Sequence, residues 1–184
     1  MPKDDFLLSC GTTKKTPSPN DFHRTKGSIS MQYTAHYASP FGPITLASDG
    51  TSLVGLWFDG QKYFAATLED KHKQKSLPVF EEARRWLDIY FSGKEPGFLP
   101  PLAPKATPFR KKVWDILLSI PYGQTMTYGE IAKTIAREQS SRMSAQAVGG
   151  AVGHNPISII VPCHRVVGTN GSLTGYADGI DKKV

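Results

Sequence analysis

Ile157-Ser158-Ile159-Ile160-Val161-Pro162-Cys163-His164-Arg165-Val166-Val167 is the stretch on which the reading of this chain turns. Its opening five residues are apolar and β-branched with one small exception, which predicts a buried strand over 157–161. Proline cannot continue a central ladder, so Cys163 is expected where that strand leaves its sheet. A thiol, an imidazole and a guanidinium then follow one another at the end of an apolar segment. A nearby cation favours the thiolate, and the thiolate is the nucleophile. His164 is the available base and Arg165 the available charge. Neighbouring side chains on extended backbone point to opposite faces, so a water between Cys163 and His164 is expected in place of direct contact. A structural cysteine at a strand end is the plain alternative.

Working back toward the N-terminus, Ser144 opens a helix through Ala145-Gln146-Ala147-Val148-Gly149-Gly150-Ala151-Val152 that ends near His154-Asn155-Pro156. It is almost bare of side chains, at an intrinsic cost of roughly 1 kcal/mol per interior glycine. Either a neighbouring element packs closely on it, or another backbone such as a nucleic-acid groove wall approaches it; the two fit on opposite faces. Before it, Thr127 and Glu130 form a capping box for a helix whose buried positions are Ile131, Ala132 and Ile135. A polar turn over 137–142 joins the two, giving the outline of a helix-turn-helix. Thr107-Pro108 starts a further helix with Phe109, Val113, Trp114, Leu117 and Leu118 on its apolar face.

The first half reads differently. Tyr33, Ala35 and Tyr37 alternate with polar or small residues, the period of a half-buried strand. Ile44–Ala47 and Leu53–Phe58 follow, separated by Asp49-Gly50 and closed by Asp59-Gly60, which predicts an antiparallel meander. Phe80, Ala83, Trp86, Leu87 and Tyr90 form a helical stripe, and the proline-rich segment 96–104 reads as a linker. Residues 1–30 carry no sustained period and are expected to be a flexible extension.

Composition narrows the classes. No apolar run approaches the roughly 20 residues that span a bilayer, and the polar N-terminus lacks a secretory leader, so a cytoplasmic protein is expected. Cys10 and Cys163 are too few for a cysteine-based zinc site, and no metal or cofactor is expected. The net charge of +6 is concentrated in residues 105–184, which hold ten Lys/Arg and five Asp/Glu. That is where an anionic polymer would bind.

With these residues in view, the chain resembles the alkylguanine–DNA alkyltransferases, the methylated-DNA–protein-cysteine methyltransferases. The likeness rests on Asn155 through Val167 with Gly175-Tyr176, and on Ser39-Pro40-Phe41-Gly42, Leu56-Trp57-Phe58, Ile120-Pro121-Tyr122-Gly123, Thr127–Ala132 and Ala147–Ala151. It implies an α/β domain of ribonuclease-H-like shape (a meander plus a helix) over 31–104. A mainly helical, winged-helix or helix-turn-helix-like alkyltransferase domain over 105–184 follows from it too. The implied activity is DNA repair by stoichiometric transfer of a methyl or alkyl group from the exocyclic oxygen of guanine to the protein's own cysteine, alkylated thymine being the further substrate it allows. The target base is flipped from the stack into a pocket.

Carried over residue by residue, Cys163 attacks the alkyl carbon, His164 promotes the thiolate through water, and Asn155 braces the turn. Tyr128 assists DNA distortion and protonation of the leaving guanine. The backbone at Val166, with Tyr176 and Ala177, lines the base pocket. Thr127, Arg142, Ala145, Gln146, Ala147, Gly149 and Arg165 face double-stranded DNA through the minor groove. A monomer without cofactor is implied, acting once because the thioether is stable.

Three departures stand out. Gln146 replaces the arginine that fills the gap left by the flipped base, with Arg142 nearby as compensation. Asp178 replaces a glycine in Gly175–Gly179, putting a carboxylate at the pocket rim. The final family helix, whose glutamate orients the histidine, lies beyond Val184, so His164 is expected to lack that partner. Two other functions compete. A recognition-only relative would lack the cysteine, which is present, and a regulator would need base-reading side chains where the third helix offers Ala and Gly.

Overall fold

The computed structural model describes residues 31–140 and 142–173. Three antiparallel strands form the predicted meander: β1 (Gln32–Ser39), β2 (Gly42–Ser48) and β3 (Leu53–Phe58). A short fourth strand, β4 (His72–Gln74), adds to β1 in parallel, so the sheet order is β3-β2-β1-β4. Its sequence, His72-Lys73-Gln74, is polar and fully exposed, which is why no hydrophobic pattern announced it.

All six residues of β3 are buried. One face meets the main core; the other is covered by a small cluster in which Ala47, Val54 and Trp57 pack with Leu68 and Ala103. The indole of Trp57 lies across Gly55, where a Cβ would come within 1.8 Å of the ring, so only glycine fits. The proline-rich linker is no loose tether. Leu53 N–H donates to the Pro101 carbonyl at 2.8 Å and Ala103 N–H to Leu53 at 2.7 Å.

Helix α1 (Pro78–Phe91) buries Val79, Phe80, Ala83, Trp86 and Leu87. Helix α2 (Pro108–Leu118) starts at Thr107, whose hydroxyl accepts from Arg110 N–H. Helix α3 (Tyr128–Gln139) carries the capping box in both directions, Thr127 with Glu130, and buries Ile131, Ala132 and Ile135. It runs further than the sequence suggested: Arg137, Glu138 and Gln139 complete its last turn, and the chain reverses at Ser140 in the left-handed region. Helix α4 (Ala145–Gly153) is capped by Ser144. Strands β5 (Met126–Thr127) and β6 (Val166–Val167) pair in parallel, tying the start of α3 to the residues just after Cys163.

One continuous core runs through both halves of the chain. Leu46, Leu56, Phe80 and Leu87 of the first belong to the same buried cluster as Trp114, Ile131, Val148, Ile157 and Cys163 of the second. No helix among the described residues is long and apolar enough to cross a membrane.

Candidate active site

The expected strand over 157–161 does not form. Only Ile157 makes a ladder contact, a parallel bridge to Leu56 of β3, with Leu56 N–H donating to the Pro156 carbonyl and Ser158 N–H to Leu56, both at 2.8 Å. Beyond it the chain coils on itself. Val161 N–H reaches back to Ile157 O at 3.1 Å, Ile160 N–H to Ser158 O at 2.8 Å, and Ile159 sits at φ 69°. All five side chains are buried, so the hydrophobic signal was sound. Its extended conformation was overruled by Asn155, which ties the coil from inside.

Asn155 is 6% exposed. Its Oδ1 accepts from Ile157 N–H at 3.0 Å, while Nδ2 donates to Val161 O at 2.8 Å and Ile157 O at 3.1 Å. The same nitrogen lies 3.2 Å from Cys163 Sγ. One carboxamide thus satisfies three backbone groups of a buried turn and also gives the sulfur a hydrogen-bond donor. Cys163 itself opens a single 3-10 turn, Cys163–Arg165, and is not at a strand end. It keeps 5% of its surface. On this turn Cys163 and His164 are not held to opposite faces as they would be on extended backbone.

The neighbours of this turn come from both halves of the chain. Tyr90, at the end of α1, places its hydroxyl 2.8 Å from His164 Nε2. Arg165 is half-buried: its Nη1 donates to Ile120 O at 3.1 Å and its guanidinium lies 5.3 Å from the Tyr122 ring centroid. Both contacts hold its guanidinium against the segment 120–122. On the opposite flank, Ser158 Oγ donates to Gln61 Oε1 at 3.1 Å, and the Tyr63 ring stacks on His154 at 4.3 Å. A cavity of about 390 Å³ opens beside Pro162 and Arg165, walled by Trp86, Phe98, Leu118 and Tyr122. Cys163 is not among the residues that line it.

Tyr128 opens α3, and the β5–β6 pairing brings it to the thiol. Burial, with the charge of Cys163 adding to it, pushes its phenol above the ordinary value. Thr127 spends its hydroxyl on the cap, accepting from Glu130 N–H at 3.1 Å and donating to Oε2 at 2.8 Å.

Helix α4 turns Val148, Ala151 and Val152 inward and leaves Ala145, Gln146, Ala147 and Gly150 exposed. Trp114 of α2 secures it from within, its Nε1 donating to Ala151 O at 2.9 Å. A Cβ at Gly150 or Gly153 would meet nothing within 4 Å, and at Gly149 only the Tyr128 ring at 3.9 Å. Internal packing does not demand these glycines. Arg142 is exposed beside the helix start, and Val166 is buried in β6. Tyr176, Ala177 and Asp178, like Cys10, lie outside the described residues.

Tyr90, Gln61 and Tyr63 are the site neighbours the sequence reading passed over. Tyr90 sat in the apolar stripe of α1 as a core residue. The available signal was its hydroxyl, since a buried tyrosine needs a polar partner.

A nucleophile held on a buried turn, in contact with a capped helix pair whose outer face is stripped of side chains, defines a class of protein: a helix-turn-helix protein that brings a reactive thiol to the partner its helices bind. Comparison with known proteins makes this specific. Residues 108–184 match the family described as 6-O-methylguanine DNA methyltransferase, DNA binding domain, and residues 32–104 match its ribonuclease-like domain. The methylated-DNA–protein-cysteine methyltransferase of Methanosarcina acetivorans is 48% identical over 151 residues, 82% of this chain and 93% of that protein. The Haemophilus influenzae protein of the same name is 42% identical over 82% of each. The crystal structure of Mycobacterium tuberculosis OGT in complex with DNA matches with a TM-score of 0.71 at 42% identity, over 82% of this chain and 88% of that one. The chain belongs to the methylated-DNA–protein-cysteine methyltransferase family.

Proposed function

We propose that this protein repairs alkylated guanine in double-stranded DNA by moving the alkyl group onto Cys163. The reading is carried by the placement of that thiol, braced by Asn155 and joined through β5–β6 to a helix pair of a DNA-binding family. The thiolate attacks the alkyl carbon; a carbon–sulfur bond forms as the carbon–oxygen bond to guanine breaks. Asn155 Nδ2, 3.2 Å from the sulfur, stabilises the negative charge on Sγ before attack. His164 takes the thiol proton through water as that charge forms. The departing guanine takes a proton. Tyr128 gives it: burial, with the Cys163 charge adding to it, keeps the phenol protonated up to that point, and water returns a proton to the tyrosinate afterwards.

DNA engages α4 from the minor groove. Ala145, Gln146 and Ala147 are exposed there, and the bare stretch to Gly150 lets the sugar-phosphate walls close in. Gln146 enters the space vacated by the flipped guanine and can hydrogen-bond the orphaned pyrimidine. Thr127 and Arg142 contact the DNA backbone, Arg142 with an exposed guanidinium. Val166 lends its backbone to the base pocket, completed by Tyr176 and Ala177. Residues 31–104 form the ribonuclease-like unit and 105–184 the alkyltransferase unit, working as a monomer. The thioether is stable, so each molecule acts once.

A duplex carrying one methylated guanine tests this. The expected result is conversion to ordinary guanine, one lesion per protein molecule, lost in Cys163→Ala. Tight lesion binding with the lesion left intact would favour a recognition-only protein and overturn the proposal.

A further inference from the structure

Gln146, Gly150 and His154 follow one another at intervals of four along α4 and its cap, so they share one stripe of the helix. The first two are exposed. His154 stands about 12 Å beyond Gln146, at roughly 1.5 Å of rise per residue. Its Nδ1 donates to Gly150 O at 2.7 Å, since a carbonyl can only accept, and this folds the imidazole back along the stripe. There the Tyr63 ring lies on it, with centroids 4.3 Å apart and planes 24° apart. The far end of the stripe is therefore covered by a side chain from the first half of the chain.

The loop that brings Tyr63 is firmly held. Gln61 is buried and accepts from Phe58 N–H at 2.8 Å, while Phe64 sits edge-on to Trp57 at 6.3 Å. Tyr63 and Ala65 take φ of 64° and 50°, a region that residues with a Cβ rarely enter and that persists only where the surroundings impose it. The Tyr63 ring nonetheless remains 40% exposed, and its hydroxyl bonds no described residue. Lys62 is exposed beside it, its ammonium 5.1 Å from the ring centroid. No carboxylate of the described residues pairs with Lys62, whereas Lys105, Lys111 and Lys112 are matched to Glu69, Asp115 and Glu138.

We propose that Lys62 and Tyr63 form a phosphate-contacting strip that continues the DNA surface of α4 onto the first half of the chain. The inference rests on α4 binding duplex DNA as set out above. Lys62 supplies the charge, Tyr63 a hydroxyl donor, and His154 the platform that fixes both relative to α4. One strand carries a phosphate about every 3.4 Å of axis, so the strip lies on the scale of three to four nucleotides from Gln146. An ammonium and a phenol on phosphates carry no base information. The strip therefore sets affinity and register on the duplex, and the choice of lesion stays with the base pocket.

Anisotropy of the full chain with an unmodified duplex, titrated between about 50 and 200 mM salt, tests this. Each phosphate neutralised by a cation contributes about 0.9 to the slope of log affinity against log salt. Lys62→Ala should lower the slope by about that amount, so its deficit against the parent is about 3.5-fold larger at the low end of the range than at the high end. Tyr63→Phe removes only the hydroxyl and should weaken binding about two- to tenfold at every salt concentration. Lys111→Ala, which removes the same charge from a paired lysine on α2, should keep the parent slope. A parent slope in Lys62→Ala, parent affinity in Tyr63→Phe, or an equal fall in Lys111→Ala overturns the proposal. A parent protein that binds no duplex overturns the reading of α4 itself, and the strip falls with it.

Discussion

Replacing Asn155 by alanine separates what the turn needs to fold from what the thiol needs to react. Ile157 N–H loses its acceptor and becomes a buried orphan, at about 1–3 kcal/mol. Val161 O and Ile157 O lose a donor each but keep Cys163 N–H and Val161 N–H, which softens their loss. Together these give a destabilisation of about 3 kcal/mol, and for a chain of this size a drop of roughly 6–12 °C in melting temperature. The sulfur loses its donor as well. A hydrogen bond to a charged acceptor contributes about 1.5–3 kcal/mol, so transfer should slow about 10- to 100-fold at a temperature where the variant is folded. Ser158→Ala is the control: it removes the 3.1 Å bond to Gln61 on the same turn without touching Sγ. It should lower stability by about 1 kcal/mol and leave the rate alone. Calorimetry and rapid-quench transfer read the two effects separately. A folded Asn155→Ala protein that transfers at the parent rate would refute the bracing argument.

Thr127→Ala removes the cap of α3 and should cost about 1–2 kcal/mol in a denaturant titration. The Glu130 carboxylate is held below its ordinary value by the Thr127 backbone and side-chain hydrogen bonds, so its contribution exists above the unfolded carboxylate range and fades as pH falls through the folded value. Thr127→Ala keeps the backbone donor and loses the hydroxyl, so it should flatten that part of the acid unfolding profile only in part; an unaltered acid limb would count against the side-chain half of the capping box. Gly150→Ala meets open space and should stabilise α4 by up to about 1 kcal/mol, whereas Gly150→Leu should fold equally well and weaken duplex binding measured by anisotropy. Equal affinity for the leucine variant would remove the case for close groove contact.

Local chemistry explains what the sequence disclosed and what it hid. Thr127 with Glu130, Thr107 with Pro108, and Ser144 each announce a helix start by side chains that act within three residues, and each start is where it was read. The meander was legible because Asp49-Gly50 and Asp59-Gly60 bracket an apolar run. The coil over 157–161 was not, because the same β-branched residues fill a buried strand or a buried turn. The deciding bonds come from Asn155, whose side chain could equally have been surface polar. The placements of Tyr90 and Gln61 were hidden for another reason: their partners, His164 and Ser158, are 74 and 97 residues away.

The account stands on the sulfur of Cys163 becoming the resting place of the alkyl group. Intact-protein and peptide mass spectrometry after mixing with excess methylated-guanine duplex tests it most directly. One added methyl on the peptide containing Cys163, with no further turnover on fresh DNA, is the predicted result. An unmodified Cys163 peptide from protein shown to have bound the lesion would contradict it.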